Sequence, residues 1–509
     1  MPSLDPDRRT DRAITLAEVG RLIGRPDLFA GDTRTITHAT DDSRRVGPGG
    51  LFVATDGNRL DGADFAAEAV ARGAAAVISH KAIEVDAPTA FVDDPRPVAS
   101  LVEAAIAGRP DDRVRVAAVT GTDGKTTTTW LTRHLLGTVG RRCGLVGTIE
   151  TDDGTATRPA VLTTPKAETF WPLLGRMDAA GVRHAAVECS SQALDQRRLA
   201  GLRIDAAVVT NLTADHLDYH GSVDAYAAAK ARLFEGLRPG GWAVLNADDP
   251  RCDRFAAAVP AGRAVLRFGF GEDADLAARD VRIDGDGTSF TLAFGRDRRA
   301  VRLSLPGRHN VANALAALAV AARFGLNLDE IAAGLETAVA PPGRLERVAT
   351  EPCDVFVDYA HTPAALSHAV ATLREHLDGR LIVVCGAGGD RDPSKRPGLG
   401  QAASAADLVV VTSDNPRTES PEAIIRDVAA GIGGGVEILT LVDRAAAIDA
   451  ALAAARPGDR VLVAGKGHER FQDVDTRRVP FDDRVVAAEL ADRYRTNAVS
   501  RPTEAAVPV

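Results

Sequence analysis

The run Thr120-Gly121-Thr122-Asp123-Gly124-Lys125-Thr126-Thr127 has the residue types of a phosphate cradle. Glycines let backbone N–H groups close on phosphate oxygens, a lysine amine adds a compact positive charge, and the hydroxyl after it can hold Mg²⁺. An apolar stretch, Val114 to Val119, precedes the run, and a helix-like stretch through Trp130, Leu131, Leu135 and Leu136 follows it. The spacing predicts a strand, a tight turn and a helix whose N-terminus favours negative charge. Gly121 and Gly124 stand closer together than the glycines of the usual phosphate loop. A turn that merely starts a helix has no need of Lys and Thr directly after its second glycine.

Two further segments carry metal-ligand chemistry. Val187-Glu188-Cys189-Ser190-Ser191 closes an apolar run on a carboxylate, and Val208-Val209-Thr210-Asn211 leads into Asp215-His216-Leu217-Asp218. Glu188 and His216 are each expected at a strand end beside the phosphate loop. There, with Thr126, they can ring a Mg²⁺ site built mostly of oxygen ligands. Taken singly, the two would read as a surface carboxylate and a helix-capping residue. Lys230 follows on a helical stretch where Tyr226, Lys230 and Phe234 share one face, inward if Phe234 is core. A carbamylated Lys230 would be a carboxylate-like ligand, but a snorkelling lysine fits the same spacing, and spacing alone does not choose. The chain has only six lysines (81, 125, 166, 230, 395 and 466) against 55 arginines. Where guanidinium is the default cation, a retained amine points to a task that guanidinium cannot perform.

The elements that must position these residues fall into three blocks. Residues 1–108 read as a small α/β unit containing Asp42-Ser43-Arg44. Residues 109–343 alternate strands and helices around the phosphate loop, as in a mainly parallel sheet. In residues 344–497 each apolar strand-like run feeds a polar loop. These loops begin at Asp358-Tyr359-Ala360-His361, Gly386-Ala387-Gly388-Gly389-Asp390-Arg391, Ser413-Asp414-Asn415-Pro416-Arg417 and Gly465-Lys466-Gly467-His468-Glu469. Open parallel sheets bind ligands at such strand ends. The glycine loop has Arg391 where a dinucleotide fingerprint needs its third glycine, which disfavours nicotinamide or flavin binding. Residues 498–509 read as a disordered tail. The predicted class is α/β with three domains: a central phosphate-loop, parallel-sheet, ATPase-like domain between a small N-terminal α/β domain and a C-terminal Rossmann-like one.

The bulk properties agree. A chain of 509 residues suggests about three domains. A net charge of −9 offers no broad basic surface for nucleic acid or anionic membrane. No apolar stretch is long enough to span a bilayer, and the polar N-terminus lacks a signal-peptide core. Five scattered cysteines, none in a C-x-x-C pair, read as buried, inert thiols in a reducing cytoplasm.

The segments GTDGKTT, ECSSQAL, TNLTADHLDYHG, YAAAKARLF, LPGRHNVANALAA, PPGRLERV, DYAHTP, GAGGDRD, DNPR and GKGHE together resemble the Mur ligase family. The likeness runs nearly the whole chain, from Asp42-Ser43-Arg44 to Phe481-Asp482-Asp483-Arg484. Within the family it is nearest the branch that adds the third residue of the peptidoglycan stem peptide. It implies an ATP-dependent ligase joining meso-2,6-diaminopimelate to the D-Glu γ-carboxylate of UDP-N-acetylmuramoyl-L-alanyl-D-glutamate through an acyl phosphate. It implies that Ser43 and Asn58 hold the UDP end, and that Thr163, Thr164, Ser190, Gln196 and Arg198 contact the sugar–peptide part. ATP would lie on Gly121, Thr122, Asp123, Gly124, Lys125, Thr126 and Thr127, with Asn310, Arg344 and Asp358. Mg²⁺ would be held by Thr126, Glu188, His216 and Lys230, the last as N6-carboxylysine. The amino acid would lie on Arg391, Asp414, Asn415, Pro416, Arg417, Gly465 and Glu469. The expected partners are these substrates alone, with no nucleic acid, no membrane and a monomeric chain. Asp123, Leu162 and Gln192 depart from the family pattern of Asn, Asn and His, and each can alter substrate contacts. Two alternatives stand: the same ligase using lysine or ornithine, and a non-catalytic ATP-binding protein of the same fold.

Overall fold

Short β-rich runs with buried residues at nearly every position need cover on both faces, and parallel sheets meet that need with crossover helices. The structure, a computed structural model, describes residues 12–57, 60–284 and 287–499. The tail assigned to 498–509 lies outside them from residue 500 onward. Two compact units are formed, one from residues up to 279 with 291–301 and 312–336, the other from 280–290, 302–311 and 337 onward.

The first unit begins with a parallel sheet of β1 (His38–Thr40), β2 (Gly50–Ala54), β3 (Ala74–Ser79) and β4 (Thr89–Phe91). Helix α1 (Val98–Ile106) joins this sheet to the next one. Its Glu103 accepts the Ala39 N–H at 2.7 Å, and its Ser100 Oγ accepts the indole N–H of Trp171 at 2.9 Å. The central sheet is built from β5 (Arg115–Thr120), which feeds α2 (Lys125–Thr138), then β6 (Cys143–Val146), α3 (Ala167–Ala179), β7 (His184–Glu188), β8 (Ile204–Val209), α4 (Val223–Ala231), β9 (Leu237–Asn246) and β10 (Ala264–Gly269). These strands lie parallel in the order β6-β7-β5-β8-β9-β10. Their register places the site: Glu188 is paired with Val119 and Val209 with Thr120, so β5, β7 and β8 end level with one another. One continuous core holds Val116, Ala118, Val187 and Ala207 of this sheet with Phe170, Trp171 and Met177 of α3.

In the second unit β11 (Glu346–Ala349) pairs antiparallel with β12 (Asp354–Asp358). The chain continues through α5 (Pro363–Arg374), β13 (Leu381–Cys385), α6 (Arg396–Ala403), β14 (Leu408–Thr412), α7 (Pro421–Ala429), β15 (Glu437–Leu441), α8 (Arg444–Ala454), β16 (Arg460–Ala464) and α9 (Asp483–Val499). The sheet order is β11-β12-β16-β13-β14-β15, parallel from β12 onward. The two-residue period of the strands divides the core. Phe356, Val383, Val409 and Leu462 face α5, α6 and α7, while Val357, Val384, Val410 and Val463 face α8 and α9. Each of the four polar loops anticipated from the sequence leaves the C-terminal end of a parallel strand.

Candidate active site

The phosphate loop leaves β5 at a point where no side chain fits. A Cβ on Gly121 would come within 1.8 Å of the Thr210 hydroxyl, and one on Gly124 within 2.2 Å of Asn313 Oδ1. Both glycines also take positive φ, +151° and +83°. The loop after β8 holds the turn: Asn211 accepts the Thr122 N–H on its carbonyl at 3.0 Å and the Asp123 N–H on its side chain at 2.9 Å. Asp123 itself is exposed. Lys125 lies along the loop, with Nζ donating to the carbonyls of Gly121 at 3.0 Å and Thr122 at 2.8 Å. Thr126 and Thr127 are buried in the first turn of α2.

Glu188, the last residue of β7, is fully buried. Its carboxylate accepts hydrogen bonds from Thr126 Oγ1 at 3.0 Å, Thr148 Oγ1 at 2.8 Å and the Thr148 N–H at 3.0 Å. Thr126 and Glu188, 62 residues apart, are therefore brought together as expected. Thr148 was not anticipated; its only sequence signal is that it follows Gly147 just past a strand.

His216 departs from its expected place. Strand β8 ends at Val209, and His216 stands in the following loop at φ +53°, ahead of the short helix Leu217–His220. Its side chain makes no capping hydrogen bond. Its Nε2 lies 3.5 Å from Asp215, its ring meets Tyr226 edge-on at 6.2 Å, and burial depresses its pKa. The sequence reading put it at the strand end because the polar loop between Thr210 and Asp215 has no periodicity to mark its length.

Tyr226, Lys230 and Phe234 are all buried, which confirms their inward face, although Phe234 lies beyond α4 in a 3₁₀ turn. Lys230 Nζ donates to the Gly121 carbonyl at 2.6 Å and lies 4.3 Å from the centre of the Tyr226 ring. Lys125 and Lys230 thus meet on one oxygen. Burial, then the charge of Lys125, push the Lys230 pKa well below the usual lysine value. Among the described residues no group of three His, Cys, Asp or Glu is gathered as a metal cluster. Mg²⁺ does not require one: it takes one or two carboxylates, keeps several waters and uses substrate phosphates. A buried carboxylate with two threonine hydroxyls on it, beside a phosphate loop, fits that ion.

The residues expected at the sugar–peptide part form one connected set. Thr164 Oγ1 donates to the Glu188 carbonyl at 2.8 Å and accepts the Ser190 N–H at 2.9 Å. Arg198 donates to the Thr164 carbonyl at 2.8 Å and to Gln196 Oε1 at 2.7 Å. Thr163 Oγ1 lies at hydrogen-bond distance, 3.2 Å, from Thr148 Oγ1. Ser43 is buried at the start of a 3₁₀ turn, Leu162 is exposed, and Asn58 lies outside the described residues.

The remaining expected residues belong to the second unit. Asn310 is buried and donates to the Pro306 carbonyl at 2.8 Å. Asp358, at the end of β12, accepts the N–H groups of Leu345 at 2.6 Å and Ala360 at 2.8 Å; burial raises its pKa against the pull of Arg344. Arg344 stacks on Tyr359 at 4.6 Å. Arg417 and Arg391 both border Gly388. Arg417 is half-buried rather than buried, at φ +52°. Its Nη1 donates to the Gly389 carbonyl, and among the described residues its guanidinium makes no other hydrogen bond. A brace from Arg417 to Glu419 is not present: Glu419 takes both its oxygens to Arg396 at 2.8 Å. Asp414, Asn415 and Pro416 are buried. Gly465, at φ +117°, packs so closely on Asp414 that a Cβ would lie 2.5 Å from its carboxylate. Two buried cations behind these loops, Lys466 and Arg444, were given no role from the sequence. Lys466 had a signal in the scarcity of lysine; Arg444, one arginine among 55, had none.

Comparison with known proteins agrees with this geometry. Three family models match in order along the chain: "Mur ligase family, catalytic domain" over 35–130, "Mur ligase middle domain" over 119–321 and "Mur ligase, glutamate ligase domain" over 343–467. UDP-N-acetylmuramoyl-L-alanyl-D-glutamate–2,6-diaminopimelate ligases of Geobacillus kaustophilus and Gloeobacter violaceus are 41% and 44% identical, each alignment covering 91% of this chain and 95% of the relative. A solved structure of a ligase of that name superimposes with a TM-score of 0.69 at 34% identity, over 95% of this chain and 99% of the other. With a phosphate loop, a strand-end glutamate and a buried lysine converging in one unit, and relatives matched along nearly their whole length, this chain belongs to the Mur ligase family.

Proposed function

We propose that the protein is an ATP-dependent ligase that forms the amide between the D-Glu γ-carboxylate of UDP-N-acetylmuramoyl-L-alanyl-D-glutamate and meso-2,6-diaminopimelate. The observation that carries it is the meeting of Thr126 with Glu188 and of Lys125 with Lys230 at the level ends of β5 and β7. The names of the relatives support the choice of substrates. In this reading residues 1–108 take the UDP end through Ser43 and Asn58. Residues 109–343 take ATP on Gly121 to Thr127 and on Asn310, and take the sugar–peptide part on Thr163, Thr164, Ser190, Gln196 and Arg198. Residues 344–497 take the amino acid on Arg391, Asp414, Asn415, Pro416, Arg417, Gly465 and Glu469, with Arg344 and Asp358 serving ATP.

The reaction has two steps. An oxygen of the γ-carboxylate attacks the γ-phosphorus, the bond to the β,γ-bridging oxygen breaks and ADP leaves, giving an acyl phosphate. Lys125 and the loop N–H groups stabilise the charge on the transferred phosphoryl group. The neutral amine then attacks the acyl carbon, and the tetrahedral intermediate expels phosphate. Thr126, Glu188, His216 and carbamylated Lys230 would hold Mg²⁺, which when bound neutralises phosphate charge. A depressed Lys230 pKa supports the modification, since only a neutral amine combines with CO₂. The chain otherwise orients three substrates and excludes water.

Diaminopimelate differs from lysine by a carboxylate at the far end. Arg417 has most of its guanidinium uncommitted and can pair that group through two parallel hydrogen bonds. Lysine would leave it unpaired. Loss of such a pair costs about 2–5 kcal/mol, so Arg417→Ala is expected to lower kcat/KM for diaminopimelate at least tens of fold. The test is a panel of amino acids with the purified enzyme, ATP and the UDP-dipeptide. ADP release that requires the dipeptide and diaminopimelate, and is not supported by lysine or ornithine, is the expected result. Turnover with lysine or ornithine overturns the specificity, and ADP release independent of both co-substrates overturns the ligase.

A further inference from the structure

Lys466 is wholly buried, and its ammonium lies between two residues of the loops just described. Nζ donates to Asn415 Oδ1 at 2.9 Å and to Glu469 Oε2 at 2.8 Å. Asn415 Nδ2 donates to that same Glu469 oxygen at 2.9 Å. The triangle has one orientation. Asn415 Oδ1 also accepts the backbone N–H of Asp473 at 3.0 Å, and a backbone donor cannot reverse, so the amide must turn its NH₂ toward Glu469. Both side-chain donors converge on Oε2. Among the described residues Oε1 accepts no hydrogen bond, and the Glu469 side chain keeps 24% of its exposure. One carboxylate oxygen is anchored from within, and the other is left to face outward.

The backbone around Lys466 is built to send this side chain inward. Gly465 and Gly467 flank it at φ +117° and +53°. A Cβ on Gly467 would lie 2.7 Å from both the Gly343 carbonyl and the Tyr359 Cβ. A compact ammonium reaches two acceptors through the space left; a planar guanidinium needs a wider slot. That accounts for a lysine here in a chain that mostly uses arginine.

We infer that Lys466 is a positioning residue for the amino-acid substrate: it fixes the rotamer of Glu469 and the amide of Asn415, so that Glu469 presents one oriented oxygen to the substrate's ammonium group. This rests on the assignment of Glu469 to the amino-acid site. Lys466 touches neither substrate nor reacting atoms, and its effect passes through Glu469.

A double-mutant cycle on the full chain tests this, using Lys466→Met and Glu469→Gln and reading the KM of each substrate, kcat and Tm. Lys466→Met is expected to raise the KM for diaminopimelate ten- to a hundred-fold, leaving the KM values for ATP and the UDP-dipeptide within about two-fold. In the Glu469→Gln background the same change is expected to add less than about three-fold, because the side chain it orients is already altered. Equal, additive losses in both backgrounds, or a rise in all three KM values with a fall in Tm, overturn the inference by showing a role in the fold alone. A raised amino-acid KM in Glu469→Gln with none in Lys466→Met overturns it too, while leaving the site intact. An unchanged amino-acid KM in Glu469→Gln overturns the site assignment itself. If Lys466→Met is not recovered folded, the cycle is read with Lys466→Gln against the same outcomes.

Discussion

Lys125 and Lys230 both donate to the carbonyl oxygen of Gly121, at 3.0 and 2.6 Å. Two full ammonium charges so close in a buried site repel, and the deeper one gives way. Lys230 is 1% exposed and carries the depressed pKa; Lys125 is half-buried, in the first turn of α2. Two predictions separate their roles. Lys125→Ala is expected to reduce turnover by orders of magnitude while the protein folds, since Lys125 is only half-buried and donates to the carbonyls of its own loop; circular dichroism and ADP release check it. Lys230→Ala is expected to abolish turnover. Bicarbonate should not restore it, whereas short-chain carboxylic acids should do so in part by placing an anion where the carbamate stood. Plain lysine density at Lys230 in a CO₂-equilibrated, substrate-bound crystal would count against the carbamate.

Elements set what the sequence could and could not reveal. The strands of the second unit were legible because their apolar runs are short, β-branched and closed by polar loops; the two-residue period then assigned each side chain to a face. The pairing of Glu188 with Thr126 was legible because Glu188 closes an apolar strand and Thr126 follows the lysine of a recognisable phosphate turn on the neighbouring strand. The bracing of loops against one another was not, because it depends on contacts distant in sequence between residues of ordinary type. Arg444 shows this. It starts α8, is fully buried, and donates to Asp483 at the start of α9 through two bonds of 2.7 Å. It also donates to the carbonyls of Ser413 at 3.2 Å, which opens one loop expected to hold the amino acid, and of Ala464 at 2.9 Å, which ends the strand before the other. One side chain thus ties two helices to two strand ends. Removing it strands a buried carboxylate, so Arg444→Met is expected to destabilise the second unit by about 3–5 kcal/mol, measured by urea unfolding. Adding Asp483→Leu should recover much of the loss, because the unpaired charge goes with it. A single variant as stable as wild type would show that the pair contributes nothing net.

At the scale of the whole molecule, acid should act on stability through half-buried imidazoles. His184 opens β7, packs on Phe324 with ring centres 5.0 Å apart, and has its pKa lowered to about 4 by burial and by the charges of Arg115 and Arg141. His468, in the second unit, is lowered to about 3 by burial and Arg344. An unfolded histidine titrates near its ordinary value of 6.5. Between these values the unfolded chain binds a proton that the folded chain does not, so stability rises with pH there. The contribution of His184 is complete above pH 6.5 and is lost as pH falls from 6.5 toward 4; that of His468 continues to fall toward 3. Paired carboxylates act lower: Asp42, held to about 2 by its bonds to Arg44, keeps its contribution until pH drops below the usual aspartate range. The sequence pI of about 5.7 lies inside the histidine window, so solubility changes there as well. Comparing each variant with wild type at the same pH removes most of that effect. His184→Phe keeps a ring against Phe324 and removes the titration. Its stability relative to wild type, from Tm measured at steps between pH 7.5 and 4.5, should climb steadily as pH falls. A difference that stays flat across the window would show that His184 is protonated as readily in the folded protein as in the unfolded chain.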